Sequence, residues 1–345
     1  MSLGIFLNFP AFLAGALILY WSVPLGMILG KIKPWRISGR RDDAYGWALG
    51  LQWWFRVKIL SLPGPPLYKN STCIYLCNHR SWADFYLDVL MTEGHAQMLS
   101  RWAVAIVFPM FMIAVMNIRS VVLFNRGRKK DHEEFNRLID RRIAASPVPG
   151  LIVYPEGHRS TKRESLTLKK GMLHYVYSRK AMTQIIITAN KEAVISEKKL
   201  LARFGQTILV GFGKPIDASK FSSFDDFFKE VQRDWNVQWA RVYGADWADA
   251  QAHQPTTPLY NRRYPTGIKA RSALISAPVF AAFLASIYLT IVGLLRLGRS
   301  LGSSQIFLYS GLLVWVGVSF SRAFKPVRLP PPSRQQRTGS PARVS

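Results

Sequence analysis

The sequence predicts an α/β domain held between an N-terminal membrane anchor and a C-terminal transmembrane hairpin. Three observations carry this. Short apolar runs at 72–77, 120–124, 151–154, 184–189 and 206–211 alternate with segments of helical periodicity, the pattern of an α/β domain. Uncharged runs at 9–30, 273–295 and 300–320 have the length that crosses a bilayer. Charge is concentrated at the ends. The 345-residue chain is 49% hydrophobic yet carries a formal charge of +26, and the acid-free stretches 1–41 and 250–345 supply 17 of those charges. Basic flanks beside long apolar runs match anionic lipid headgroups. Nucleic acid is not expected as a partner, because no zinc-ligand, RRM or comparable motif is present.

Taken in order, residues 9–30 lack a basic leader and a small-residue cleavage site, so they read as an anchor and not a cleaved signal peptide. Pro10 and Pro24 leave a helix that only dips into the membrane as the alternative. Lys31, Lys33, Arg36, Arg40 and Arg41 follow and place this side in the cytosol, with Met1 across the membrane. Residues 45–55 hold Trp47, Trp53 and Trp54 beside Arg56 and Lys58, a mix that suits the bilayer interface and, nearly as well, a core helix. Leu62-Pro63-Gly64-Pro65-Pro66 is a linker. Cys73 and Cys77 share one face of the strand that follows, and two packed thiols suggest no disulfide framework.

Residues 102–118 are uncharged, contain Pro109 and are short for a span. They read equally as a buried core helix or as a segment pressed into one leaflet. Residues 129–145 are helical, with Phe135, Leu138, Ile139 and Ile143 on one face. Ser223 and Asp226 form a capping box ahead of an aromatic core stripe, Phe224, Phe227, Phe228, Val231 and Trp235. Residues 250–264 are rich in Pro, Gln and Thr and read as a linker. Basic residues on both sides of the C-terminal hairpin put its two ends in the cytosol. The Pro-, Arg- and Ser-rich tail from 326 is expected to be disordered.

The chemistry concentrates at Cys77-Asn78-His79-Arg80-Ser81-Trp82-Ala83-Asp84. On one continuous helix His79 and Asp84 would point about 140° apart. They meet only if His79 lies in the turn before a helix and Asp84 in its first turn. Asp84 then holds one imidazole nitrogen and leaves the other free as a general base. In isolation such a spacing is more often a polar strand-to-helix turn, with Asp84 favoured by the helix dipole.

It does not stand in isolation. Val121-Val122-Leu123-Phe124-Asn125-Arg126 follows, then Leu151-Ile152-Val153-Tyr154-Pro155-Glu156-Gly157-His158-Arg159-Ser160. Over roughly residues 70–215 this order resembles the lysophosphatidic acid acyltransferase family of glycerolipid acyltransferases. Asn78, His79 and Asp84 match its Asn-His-x4-Asp block, and Arg126 matches the arginine of the second. Pro155, Glu156, Gly157, Arg159 and Ser160 match the third, where Tyr154 and His158 replace the usual Phe and Thr. The fourth block is poor, since Ile185-Ile186-Ile187-Thr188 has no proline.

The resemblance implies a glycerolipid-acyltransferase-like mixed sheet flanked by helices. It implies direct attack of a lysophospholipid hydroxyl on acyl-CoA, which is a substrate, with no bound cofactor and no metal. The best acceptor is 1-acyl-glycerol-3-phosphate; the poor fourth block and His158 leave glycerol-3-phosphate or another lysophospholipid as alternatives. His79 is the expected base and Asp84 its orienter. Arg126 and Arg159 are expected on phosphate, because a guanidinium pairs with it bidentately. Gly157 lets backbone approach closely in its turn. Glu156 is expected to pair an arginine or bind a glycerol hydroxyl.

The expected organisation is an anchor and interfacial segment at 1–61 and an acyltransferase domain at 62–249. A linker at 250–272, the transmembrane hairpin at 273–320 and a basic tail at 321–345 follow. The expected location is the endoplasmic reticulum membrane, with the catalytic domain facing the cytosol. Two alternatives belong to other classes. A catalytically silent scaffold is opposed by the intact His79, Asp84 and Glu156. A serine hydrolase is suggested only by Gly298-Arg299-Ser300-Leu301-Gly302, which falls between two apparent spans and not in a strand-to-helix elbow.

Overall fold

The computed structural model describes residues 3–29, 43–117, 120–124, 132–146, 148–254 and 266–325. Its centre is a mixed sheet. The strands are β1 (Lys58–Ser61), β2 (Cys73–Cys77), β3 (Ala96–Arg101), β4 (Val121–Phe124), β5 (Gly150–Val153), β6 (Met182–Ala189), β9 (Thr207–Phe212), β10 (Ile216–Asp217) and β11 (Gln251–Ala252). Their order is β11-β1-β9-β6-β2-β5-β3-β4, with β10 on β6. β2 lies between β5 and β6 and is parallel to both, whereas β6 and β9 are antiparallel. A small antiparallel pair, β7 (Ile195–Ser196) and β8 (Leu201–Ala202), stands apart from the sheet.

Strand β2 is buried on both faces, and its side chains alternate between two cores. Cys73, Tyr75 and Cys77 face one side, as their spacing predicts. That core is closed by α1 (Leu3–Leu29), α2 (Asp43–Phe55), α3 (Asp84–Met91) and α5 (Pro109–Asn117). Ile74 and Leu76 face the other core, which is closed by α6 (His132–Ala144), α7 (Lys170–Ser178) and α9 (Phe224–Gly244). Ser223 caps α9, accepting from the Asp226 N–H and donating to its carboxylate, and Phe227, Val231 and Trp235 are buried along its inner face.

Several boundaries differ from the sequence reading. The sheet starts before 62, because Lys58–Ser61 runs parallel to β9. It also reaches into the expected linker, where Gln251–Ala252 adds to β1. Both pairings rest on backbone hydrogen bonds of short segments that have no side-chain period to read. The run at 102–118 is neither of the two single elements expected. It breaks at Phe108, whose backbone leaves the helical region (φ −125°, ψ 60°), as the residue before a proline does. The first piece, α4 (Trp102–Val107), buries none of its side chains, and Ile106 and Val107 are exposed. The second, α5, buries Phe111, Met112, Ala114 and Val115. Likewise α2 divides its tryptophans, with Trp47 buried and Trp53 and Trp54 exposed.

Among the described residues, three helical stretches are long and apolar enough to cross a membrane: Leu3–Gly26, Ala277–Ser300 and Gly302–Ala323. The last two lie on α10 (Thr266–Ser300) and α11 (Gln305–Ala323) and form the expected hairpin. The first, on α1, is bound to the catalytic domain along its length. Ala11, Phe12, Leu19 and Val23 belong to the domain core. Gly15 admits the helix so close to β8 that a Cβ there would lie 3.1 Å from the Ala202 Cβ.

The start of α1 also lies beside the end of α11. Phe6 stacks on Trp315, and Arg322 Nε donates to Asn8 Oδ1 at 3.1 Å. The end of α11 is held to the domain by the Phe204 N–H on the Ala323 carbonyl at 2.8 Å. α1 is therefore held on one side by the domain and on another by α11, and it remains a candidate span by length and composition. The tail and residues 30–42 fall outside the described residues.

Candidate active site

The site forms where β2 ends. Asn78, fully buried, locks that end to β6. Its Nδ2 donates to the Thr188 carbonyl at 3.0 Å, and its Oδ1 accepts the Thr188 N–H at 2.9 Å. His79 then occupies the turn and Asp84 opens α3, the arrangement their spacing requires. His79 Nδ1 lies 2.6 Å from Asp84 Oδ2, and the same oxygen accepts the N–H of Arg80 at 2.7 Å and of Ser81 at 3.1 Å. The ring stacks on Tyr154, centroids 4.1 Å apart.

Burial opposes ionisation of Asp84. The Lys191 ammonium and the hydrogen bonds from His79 and the Arg80 N–H outweigh it, holding the carboxyl at about 2. Desolvation, with the Arg159 and Lys191 charges adding to it, holds His79 below the ordinary imidazole value despite Asp84. A carboxylate acceptor on Nδ1 fixes the proton there, leaving a neutral Nε2 that has no hydrogen-bond partner among the described residues. This is the geometry of an oriented general base.

The third block is laced to this turn. Glu156 is fully buried. Its Oε2 accepts the His79 N–H at 2.9 Å and its Oε1 the Leu166 N–H at 3.2 Å. Both carboxylate oxygens thus serve backbone amides, because the chain folds its own donors onto them. Gly157 adopts φ +77°, which glycine alone takes without a steric penalty. The Ser160 N–H donates to the His79 carbonyl at 3.0 Å. Arg159 lies near enough to His79 to lower its basicity, and its Nη1 pairs with Glu197 Oε1 at 2.7 Å. Arg126 lies outside the described residues.

Other participants were not legible in the motifs. Arg80 is buried and binds Glu192 through two nitrogens, at 2.5 and 3.2 Å, and the Lys162 carbonyl at 2.6 Å. It also faces the rings of Tyr243 and Trp239. Asp88 lies one turn after Asp84 and accepts from Tyr154 Oη at 2.9 Å. Lys191, fully buried, reaches Asp88, Asp84 and the Asn78 carbonyl. The four-residue spacing of Asp84 and Asp88 was a readable sign of a shared helix face; the distant lysine had none. Beside the turn, Trp82 and Phe85 meet Leu19 and Tyr20 of α1 and Phe108 and Phe111 to line a shallow apolar crevice.

An imidazole oriented by a carboxylate, on a mixed α/β sheet with span-length apolar helices, suits an enzyme that works by proton transfer beside a membrane. The comparisons narrow this: residues 64–189 match the family model described as Acyltransferase. Among curated proteins it is similar to a 1-acyl-sn-glycerol-3-phosphate acyltransferase of Cocos nucifera, 25% identical over 152 residues, which are 43% of this chain and 47% of that one. The match thus spans about half the length of that relative. Among solved structures it is similar to the 1-acyl-sn-glycerophosphate (LPA) acyltransferase PlsC from Thermotoga maritima. The identity is 16% and the TM-score 0.48, over 66% of this chain and 94% of that one.

Proposed function

We propose that the protein is a membrane-bound acyl-CoA:lysophospholipid O-acyltransferase and that its acceptor is 1-acyl-glycerol-3-phosphate, giving phosphatidic acid. The observation that carries the reading is the 2.6 Å contact of His79 Nδ1 with Asp84, which leaves Nε2 unpartnered. Nε2 takes the acceptor hydroxyl proton as that oxygen attacks the thioester carbonyl. Asp84 stabilises the imidazolium that forms. The C–S bond breaks, an ester C–O bond replaces it, and CoA leaves as a thiolate that recovers the proton. General-base help contributes about 10²–10⁴-fold.

The apolar crevice beside Trp82 suits an acyl chain. Arg159 and Arg126 are assigned to the acceptor phosphate, with Arg159 exchanging Glu197 for phosphate on binding. Glu156 is assigned to holding the His79 turn. Gly157 provides the close-approach turn. The catalytic domain is assigned to the cytosolic face of the endoplasmic reticulum, where acyl-CoA is supplied, with α10 and α11 crossing. The test is acyl transfer by purified protein to a panel of lysolipids. We expect phosphatidic acid from 1-acyl-glycerol-3-phosphate with wild-type protein and none with His79→Ala. Near-normal turnover by His79→Ala would sink the reading.

A further inference from the structure

Lys191 is the least expected side chain in the molecule. It follows β6, and its ammonium is fully buried. Asn190 before it takes a left-handed backbone, φ +72°, which asparagine tolerates better than most residues. The Asn190 side chain anchors that bend by donating to the Thr207 carbonyl at 2.7 Å. The bend delivers Lys191 inward, under the turn that carries His79.

All three ammonium hydrogens have a destination. Nζ lies 2.7 Å from the Asn78 carbonyl, 2.8 and 2.9 Å from the two Asp88 oxygens, and 3.2 Å from Asp84 Oδ1. Asp84 and Asp88 are themselves buried. Stability alone is a poor reason for such a cluster, since a buried ion pair can often be replaced by apolar groups without loss. The targets suggest another reason. One is the peptide that immediately precedes His79. A second is the carboxylate that orients its ring, met as an ion pair at the oxygen that His79 does not use. The third, Asp88, also holds the hydroxyl of Tyr154, on which the imidazole stacks. Lys191 therefore touches three of the elements that set the ring's position and does not touch the ring.

We propose that Lys191 is a positioning residue for acyl transfer: its ammonium clamps Asp84 and the Asn78 carbonyl in one geometry and so fixes where His79 Nε2 points. The proposal rests on the acyl-transfer reading above. Lys191→Met alone leaves two carboxylates facing each other in a buried site and is expected to fold poorly. The deciding variant is Lys191→Met/Asp88→Asn, which removes one cation and one anion and keeps the buried net charge. Full-length protein in detergent micelles is compared with wild type by melting temperature, kcat, and KM for acyl-CoA and for lysolipid.

The expected result is a melting temperature near wild type, a kcat lower by about 10- to 100-fold from a misplaced base, and both KM values within about twofold. Recovery of kcat together with the melting temperature would mean that Lys191 only neutralises Asp88, and would overturn the proposal. So would a kcat loss matched by a large rise in both KM values, the sign of a collapsed pocket. Wild type and His79→Ala run in the same assay separate the failures. An inactive wild type or an active His79→Ala removes the acyl-transfer reading, whereas an inert His79→Ala beside a fully active double variant removes only the role of Lys191.

Discussion

Asp84→Asn tests the dyad directly, because the structure leaves an amide no good orientation. Oδ2 accepts from three donors, His79 Nδ1 and the N–H groups of Arg80 and Ser81, and Oδ1 lies 3.2 Å from the Lys191 ammonium. With its oxygen toward the three donors, asparagine turns an NH2 against an ammonium. Flipped, it turns that NH2 against all three. In the less costly orientation the His79 contact survives as a neutral hydrogen bond, which gives up about 1–2 kcal/mol against a charged one. The imidazolium formed on proton transfer also loses its counter-ion in a buried site, where an uncompensated charge costs about 3–5 kcal/mol. A loss of about 4–7 kcal/mol from the transition state is a fall of roughly 10³–10⁵ in kcat. The assay is release of CoA thiol with a colorimetric thiol reagent, checked by mass spectrometry of the product lipid.

Stability should fall too. The Asp84 carboxyl sits at about 2 against an ordinary 3.8, so ionised Asp84 contributes on the order of 2 kcal/mol. That contribution is fully present above the ordinary value and is lost as pH falls through about 2. A folded Asp84→Asn protein that keeps more than about a tenth of wild-type kcat would refute the assignment of Asp84 as orienter.

The pH dependence of kcat/KM should show an acidic limb below the ordinary imidazole value of about 6.5, because burial holds His79 down and only its neutral form accepts a proton. A limb above 7 would contradict the described environment. Arg159→Ala should raise the KM for a phosphate-bearing acceptor by roughly 10- to 100-fold, the loss of one charge-assisted contact. It should do little to the KM for acyl-CoA, and equal damage to both would remove its assignment to the acceptor. In glycosylation-competent microsomes the Asn70 sequon should stay unmodified. A glycosylated Asn70 would put the catalytic domain in the lumen.

How far the sequence reached depended on distance along the chain. The turn that brings His79 to Asp84 is readable because it spans five residues, and local sterics decide whether such neighbours meet. The Ser223 cap and the inner stripe of α9 were readable for the same reason, since a helix repeats its face every few residues. The tethers of the site were not. Lys191 on Asp84 and Asp88, Glu192 on Arg80, and Glu156 on the His79 amide each join residues far apart in sequence. No local rule says which buried carboxylate a given cation will meet. That depends on β2 lying between β5 and β6, which brings their C-terminal ends to one place. Hence the sequence pointed to an arginine or a glycerol hydroxyl for the third-block glutamate and gave no sign of the backbone amides it accepts from.

The same limit governed α1. Length and hydropathy alone establish that Leu3–Gly26 can enter a bilayer. Only the tertiary structure shows that Ala11, Phe12, Gly15 and Leu19 pack against the domain and its partner helices. An apolar face is satisfied equally by lipid and by protein, and composition does not distinguish them.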